Sequence, residues 1–518
     1  MADLRLAELL AALSQMTDLG LGQPPETAIR SCLLATGLAR RMEIDEPEIG
    51  AIYYTTLLQH IGCNAYAHET AAMVGGDDIA FRAAGGTVDV GNPREMLSFL
   101  LLGVGKGAPP ATRIRAVVST MRAGPSFFRE FFQSNCEVAI RTADRMGLSP
   151  GVQRGLDTIY ERWDGKGQPH GIDREEIFLA SRFAQVAGQG ELFHRLGGPD
   201  VAIETIRRRA GTALDPTIAE EFALHGSELL AEIDASDPVV AVIDAEPEPH
   251  HRIPDTQVDE LARAFADLTD LQSPFMHGHS TAVSRLAEAV ARDLSLSDAD
   301  ITAVRRAGLL HELGRTGIPN GIWDKPGPLT TTEWEQVRLH PYYGERILSQ
   351  SQVLAPLAPL AGMHHERQDG SGYHRQLTGS MTSTAARVLA TANAYQALTE
   401  DRPYRPGLSL GAAAERLTAD ADAGRLAPRI VQAVLSVAGH PSSPRHHAWP
   451  ADLTDREVQV LQLAARGLSK KEIGAQLFIS PKTADHHIQH IYAKIGVSTR
   501  AGAAMFAMQH DLVQTHPA

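Results

Sequence analysis

Apolar residues recur three and four positions apart along almost the whole chain. Leu286, Val290 and Leu294 form one such stripe, and Val458, Leu461 and Ala465 form another. That spacing lines up side chains on one face of an α-helix, whereas the alternation that marks strands is scarce. The pattern predicts a nearly all-α chain. Its opening residues, MADLRLAELLAAL, carry Asp3, Arg5 and Glu8 inside the apolar stretch. They read as an amphipathic helix rather than a signal peptide. Apolar runs fall short of the roughly 18 residues needed to cross a bilayer, so no membrane partner is expected. Two stretches interrupt the helical pattern. Residues 234–257 (DASDPVVAVIDAEPEPHHRIPDTQ) are rich in proline and acid and read as a linker, whose VVAVI could form a short strand. Residues 440–450, with Pro441, Pro444 and Pro450, read as a second linker that no helix tolerates. The expected domains are therefore 1–233, 258–439 and 451–518.

Two regions align as an internal repeat. TAIRSCLLATGLARRMEIDEPEIGAIYYTTLLQHIGC, from Thr27, matches HSTAVSRLAEAVARDLSLSDADITAVRRAGLLHELGR, from His279, without a gap at an offset of 252. YERWDGKGQPHG, from Tyr160, matches HERQDGSGYHRQ, from His365, at an offset of 205. RAGTALDP, from Arg209, then resembles DAGRLAPR, from Asp422. Three motifs in one order imply two copies of one fold.

Chemistry concentrates in the second copy. Seven of the 22 histidines fall between His277 and His374. His279, His311, His340 and His364–His365 follow one another at intervals of 24 to 32 residues, about a helix plus its connection. Such spacing would bring one ligand set from each of several antiparallel helices to a bundle interior. Imidazoles with neighbouring carboxylates suit a transition metal, and oxygen ligands favour manganese or iron over structural zinc.

HGHSTAVSRLA, LLHELGRTGIPNGIWDKPGPLTTTEWEQVRLHPYYGERIL, HHERQDGSGYH and ALTEDRPYRP together resemble the HD-GYP branch of the HD-domain phosphohydrolases over about residues 258–439. The resemblance implies an all-α bundle whose one or two metal ions serve hydrolysis of cyclic di-GMP or a related nucleotide. Carried over by position, it implies metal ligands at His279, His311, Glu312, His340, His364, His365 and Asn393, with His311, Glu312 and Arg315 as the catalytic group. Departures are visible. Where the family has a bridging Asp stands Glu312, one methylene longer, and its nearby Lys is Arg315, which cannot give up a proton near neutrality. A later Asp ligand is the neutral Asn393. The Gly-Tyr-Pro signature reads Gly372-Tyr373-His374, losing the turn that proline fixes. Asp369-Gly370-Ser371-Gly372 could approach a phosphate through backbone N–H groups, and Arg402 and Arg405 are family-like basic residues.

The first copy keeps the layout with the chemistry removed. Thr27 stands for His279, Gln59–His60 for His311–Glu312, Cys63 for Arg315, Ile159–Tyr160 for His364–His365 and Gly188 for Asn393. His60 and His68 remain, and read as core or surface groups rather than a metal site. This half reads as a degenerate HD-like domain packed against its twin, with a vacated pocket open to a small molecule.

In the tail, Thr454 caps a helix that Gly467 ends. Ser469, with Glu472 at capping-box distance, starts a second that stops near Phe478, and Ser480 with Pro481 starts a third. That is a helix-turn-helix, whose second member can lie in a major groove. Lys470, Lys471, Lys482, Lys494 and Arg500 are candidates for phosphates. Thr483, His486, His487 and His490 are candidates for base edges. LTDREVQVL, ARGLSKKEIGAQLFIS and KTADHHIQHIYAKIGVSTR resemble the LuxR-type (GerE-type) regulator module, with Ala484 where that family usually has Val. The resemblance implies double-stranded DNA as partner and a homodimer formed through the last helix, residues 501–512.

Charge and cysteine usage narrow these readings. The 518 residues carry a net charge of −14, which argues against nonspecific coating of nucleic acid. Residues 451–518 hold seven Lys/Arg against six Asp/Glu, so DNA binding is local. Three cysteines, Cys32, Cys63 and Cys136, exclude a disulfide framework and a Cys-only zinc site, and a reducing cytoplasm fits. Two functions compete: a transcription regulator whose HD-type region senses a ligand or metal, and a metal-dependent phosphodiesterase with a DNA-targeting tail. The intact tail beside an altered HD motif favours the first.

Overall fold

A computed structural model describes residues 4–105, 110–439, 449–510 and 512–513. Helices dominate the described residues. The chain divides into two compact units, Met1–Val258 and Asp259–Ala518. One two-stranded antiparallel pair belongs to the first unit and sets Leu4 against Ile253 and Arg5 against Arg252.

In the first unit, helices Thr27–Arg41, Glu46–Leu57 and Leu179–Gly197 pack against Pro199–Arg209 and Pro216–Asp234. Leu34, Ile52, Phe183, Ile206 and Phe222 fill the space between them, each wholly or almost wholly buried. In the second unit, helices His279–Asp293, Asp298–Leu310 and Thr384–Thr399 form the corresponding bundle, with Val283, Val290, Val304 and Leu389 inside.

Backbone geometry repeats at the offsets seen in the sequence. Helix Thr27–Arg41 begins after Glu26 at φ 71°, and helix His279–Asp293 after Gly278 at φ 79°. A buried aspartic side chain anchors each start: Asp18 accepts from Ala28 N at 3.2 Å, and Asp270 accepts from Ser280 N at 2.8 Å. Gly62 and Gly314 are needed where the chain crosses itself. A Cβ on either would lie 2.0 Å from a carbonyl oxygen, of Asn135 in the first copy and of His340 in the second.

The segment expected as the first linker is built into the first unit. Its VVAVI is not a strand but part of helix Pro238–Asp244. Asp237 accepts from Val239 N and Val240 N, and Pro238 occupies the first turn, so capping outweighs the β-preference of four branched residues. Val242 is buried, and its carbonyl accepts from the Tyr53 hydroxyl at 2.8 Å. In the second expected linker, residues 440–448 lie outside the described residues.

The tail forms helices Asp455–Ala465, Lys470–Leu477, Pro481–Ile495 and Arg500–Gln509. Thr454 with Glu457 and Ser469 with Glu472 make complete capping boxes, and Ser480 caps the third helix.

Candidate metal centre and DNA-binding module

The histidines sit at helix ends rather than along helix faces, and the ends explain their orientation. His311 follows helix Asp298–Leu310, His340 follows Thr331–Val337, and His364 follows Ala358–Gly362. The last carbonyls of a helix lack intrahelical donors. Each of these histidines supplies one three residues on: Nδ1 of His311 to Gly308 O at 2.8 Å, of His340 to Val337 O at 2.6 Å, and of His364 to Ala361 O at 2.6 Å. A proton on Nδ1 leaves Nε2 with its lone pair, the tautomer a metal requires.

Those lone pairs converge. His340 Nε2 and His364 Nε2 lie 3.1 Å apart, and with the proton of each neutral ring on Nδ1 both present lone pairs. Glu312 lies among the rings: one carboxylate oxygen is 3.7 Å from both His279 Nε2 and His311 Nε2, and the other is 3.6 Å from His340 Nε2. The donors form two groups sharing Glu312, namely His279, His311 and Glu312, and Glu312, His340, His364 and His365. Asn393 Oδ1 joins the first group, 3.1 Å from His279 Nε2.

Electrostatics favours a cation there. Burial pushes the imidazoles of His311 and His340 down to about 4, and those of His364 and His365 well below their ordinary value. Burial also works against the Glu312 anion, but Arg315 and the surrounding imidazoles outweigh it and hold the carboxyl well below the usual range. Among the described residues, His311 Nε2 and Glu312 Oε2 are buried without a hydrogen-bond partner. Facing lone pairs, an ionised carboxylate and orphaned acceptors at one point are what a metal ion satisfies, so the residues fit one.

Other predicted residues divide. Arg315 is buried, its guanidinium 3.7 Å above the Trp323 ring. Arg402 pairs with Glu400 at 2.9 Å, and Arg405 caps carbonyls including Leu398 O at 3.1 Å, so both are engaged within the chain. Asp369-Gly370-Ser371-Gly372 is a turn in which Asp369 accepts from Ser371 N. The turn that follows keeps its form without proline at 374, because Glu366 accepts from Arg375 N and Leu377 N. In the first copy Glu161 likewise accepts from His170 N and Gly171 N.

Sequence reasoning missed Glu400, which accepts from His279 Nδ1 at 2.7 Å and orients that ring. It lay inside the quoted ALTEDRPYRP. It also missed the pairing of Asp18 with Asp270, separated by the same 252 residues as the rest of the repeat.

In the tail, Lys471, Lys482, Thr483 and His486 are exposed, and His487 is half-buried. Lys470 is exposed and pairs with Asp485 at 2.6 Å. His490 and Lys494 both bind Glu457, at 2.6 and 2.8 Å, and Arg500 donates to Leu468 O. Those three side chains tie the module together. Ala501 to Met508 of the last helix are buried within the single chain.

The HD domain family model matches residues 263–430, and the model for bacterial regulatory proteins of the luxR family matches residues 451–507. The chain belongs to the HD-domain family of HD-GYP type and carries a luxR-family module. It is 32% identical over 408 residues to 3'3'-cGAMP-specific phosphodiesterase 3 of Vibrio cholerae, covering 78% of this chain and 88% of that protein. It is 38% identical over 166 residues to a cyclic di-GMP phosphodiesterase of Pseudomonas aeruginosa, covering 32% of this chain and 40% of that one. A crystal structure of a Vibrio cholerae cyclic GMP-AMP specific phosphodiesterase superposes with a TM-score of 0.59 at 27% identity, covering 85% of this chain and 99% of that one. Among the described residues no helix is long and apolar enough to cross a membrane.

Proposed function

We propose that this chain is a metal-dependent phosphodiesterase for a cyclic dinucleotide, joined to a module that binds double-stranded DNA. The observation that carries the reading is the pair of donor groups sharing Glu312. His279, His311, Glu312 and Asn393 would hold one ion, and Glu312, His340, His364 and His365 a second. Oxygen donors among the imidazoles favour manganese or iron. Bound metal supplies the positive charge on which phosphodiester cleavage depends. Glu312 keeps two donor sets in register, and its extra methylene does not prevent its oxygens from facing both. Arg315, fixed on Trp323, keeps a permanent cation beside Glu312 and serves to orient charge rather than to transfer a proton. Relatives named for 3'3'-cGAMP and for cyclic di-GMP make these the substrates to assay first.

The test is hydrolysis of both dinucleotides by the full chain with manganese or iron. Turnover that His311→Ala abolishes is the expected result. Bound metal without turnover of either dinucleotide would leave a metal-loaded sensor, the second reading, which the neutral Asn393 favours.

For the DNA module, the exposed Lys471, Lys482, Thr483 and His486 support duplex binding. Lys482→Ala is expected to weaken binding to all sequences alike and to reduce the salt slope by about 1. Unchanged binding would remove Lys482 from the interface. We place the homodimer on DNA, and a dimer through the last helix requires Ala501–Met508 to be uncovered first.

A further inference from the structure

The first copy has a cavity where the second has its donor cluster. Its volume is about 320 Å³, and Thr27, Gln59, His60, Cys63, Tyr160 and Gly188, the positions matching the second copy's donors and Arg315, all line it. Loss of those donors has therefore not closed the space. Phenylalanines line it instead, among them Phe81, Phe99, Phe127 and Phe131, and Phe81 packs on Phe99 with ring centroids 4.7 Å apart. The size falls at the lower end of small-molecule sites, about 300–1,000 Å³. That suits a ring system or short acyl chain better than a dinucleotide.

The unpartnered polar atoms just beneath the lining have one sign. Among the described residues, Gln59 Nε2, Arg82 Nε and Arg209 Nε are donors with no partner, each atom wholly buried on a residue that lines the cavity. Their residues are only 5%, 8% and 3% exposed. The arginines' other nitrogens are committed, Arg82 to Asp78 at 2.6 Å and Arg209 to Gln189 at 2.7 Å. The lining carboxylates are committed too. Asp89 pairs with Arg162, and Glu161 accepts from His170 N and Gly171 N. Buried donors without acceptors are costly, so an occupant that supplies only acceptors gains most.

We propose that the first copy binds a small hydrophobic carboxylate, with its apolar body among the phenylalanines and its oxygens taken by Gln59, Arg82 and Arg209 as those side chains turn toward it. This site is independent of hydrolysis in the second copy. It makes the degenerate domain a receptor rather than a spacer.

Calorimetry on the full chain with 2-naphthoate and with decanoate tests it, with 2-naphthalenemethanol as the uncharged comparison. At least one carboxylate is expected to bind, and 2-naphthoate roughly ten- to a hundredfold more tightly than the alcohol if the ring arm fits, the reach of a charge-assisted hydrogen bond. Decanoate alone binding would assign the acyl arm. Ile159→Trp, which fills the cavity, is expected to abolish binding, and Gln59→Leu to weaken it about tenfold. Metal content of the second copy is expected to stay unchanged in both variants, which separates this result from any failure of the phosphodiesterase reading. Absence of binding by both carboxylates would overturn the proposal, as would wild-type affinity in Gln59→Leu or in a folded Ile159→Trp. So would an alcohol that binds as tightly as 2-naphthoate.

Discussion

The two HD copies hold the same backbone devices around opposite interiors. Asp18 and Asp270 anchor equivalent helix starts, Gly62 and Gly314 admit equivalent carbonyls, and Glu161 and Glu366 close equivalent turns. Inside, one copy gathers imidazoles and a carboxylate, and the other gathers phenylalanines around a cavity. The comparison separates frame from chemistry. What the copies share builds the bundle, and what only one has is available for function. The matched carbonyls, Asn135 O and His340 O, identify Asn135 as the first-copy partner of His340. The offset of 205 that pairs Gly188 with Asn393 also sets Arg195 against Glu400, reversing the charge behind the first ligand position.

The largest expected break between the copies comes from metal removal. With metal at a hundred times its dissociation constant, binding stabilises by about 2.7 kcal/mol. For a unit of this size, chelation should then lower a melting transition by roughly 5–10 °C. Glu312→Gln should remove that response, whereas His60→Ala, at the matching position, should leave it intact. Equal loss in both variants would show that the copies are not distinct in metal binding. Next in size, Glu400→Gln should weaken metal affinity about 10–100-fold, measured by competition with a chelator, because His279 loses the anionic acceptor that orients it.

The paired glycines sharpen the comparison further. Gly62→Ala and Gly314→Ala should each destabilise by about 1–3 kcal/mol in denaturant melts, since a Cβ has nowhere to go. Only Gly314→Ala should also reduce bound metal, because the carbonyl it displaces belongs to His340. A loss of metal in both would make the first copy part of the site.

The last expected difference is in pH. Burial pushes the Asp18 carboxyl up to about 8, against the backbone N–H groups that favour its anion. A folded value above the unfolded one means stability fully present below about pH 4 and lost as pH rises toward 8. Asp18→Asn should flatten that decline in first-unit stability, and an unaltered pH profile would place the proton elsewhere.

Much of this was legible in the sequence. The helical period gave the all-α fold, and the repeat offsets located both copies because aligned motifs translate directly into equivalent positions. Capping residues marked the tail helices, since Thr454, Ser469 and Ser480 act on neighbours three residues away. Periodicity could not say that His311, His340 and His364 lie at helix ends, because histidine is neither a strong former nor a breaker. Propensity misjudged VVAVI, where Asp237 and Pro238 decided the conformation. Long-range partners such as Glu400 for His279, 121 residues apart, carry no local signal. Neither does the engagement of His490 and Lys494 by Glu457, which ties two residues expected at the DNA to the first helix of the module.

Three helix termini, far apart along the chain, lend their final carbonyls to aim imidazoles at one point. If an ion occupies that point, it ties those termini together, and the second unit's rigidity becomes a function of how much of that metal surrounds it. A protein so built would loosen during scarcity of the metal, placing its lifetime, as well as its chemistry, under nutritional control.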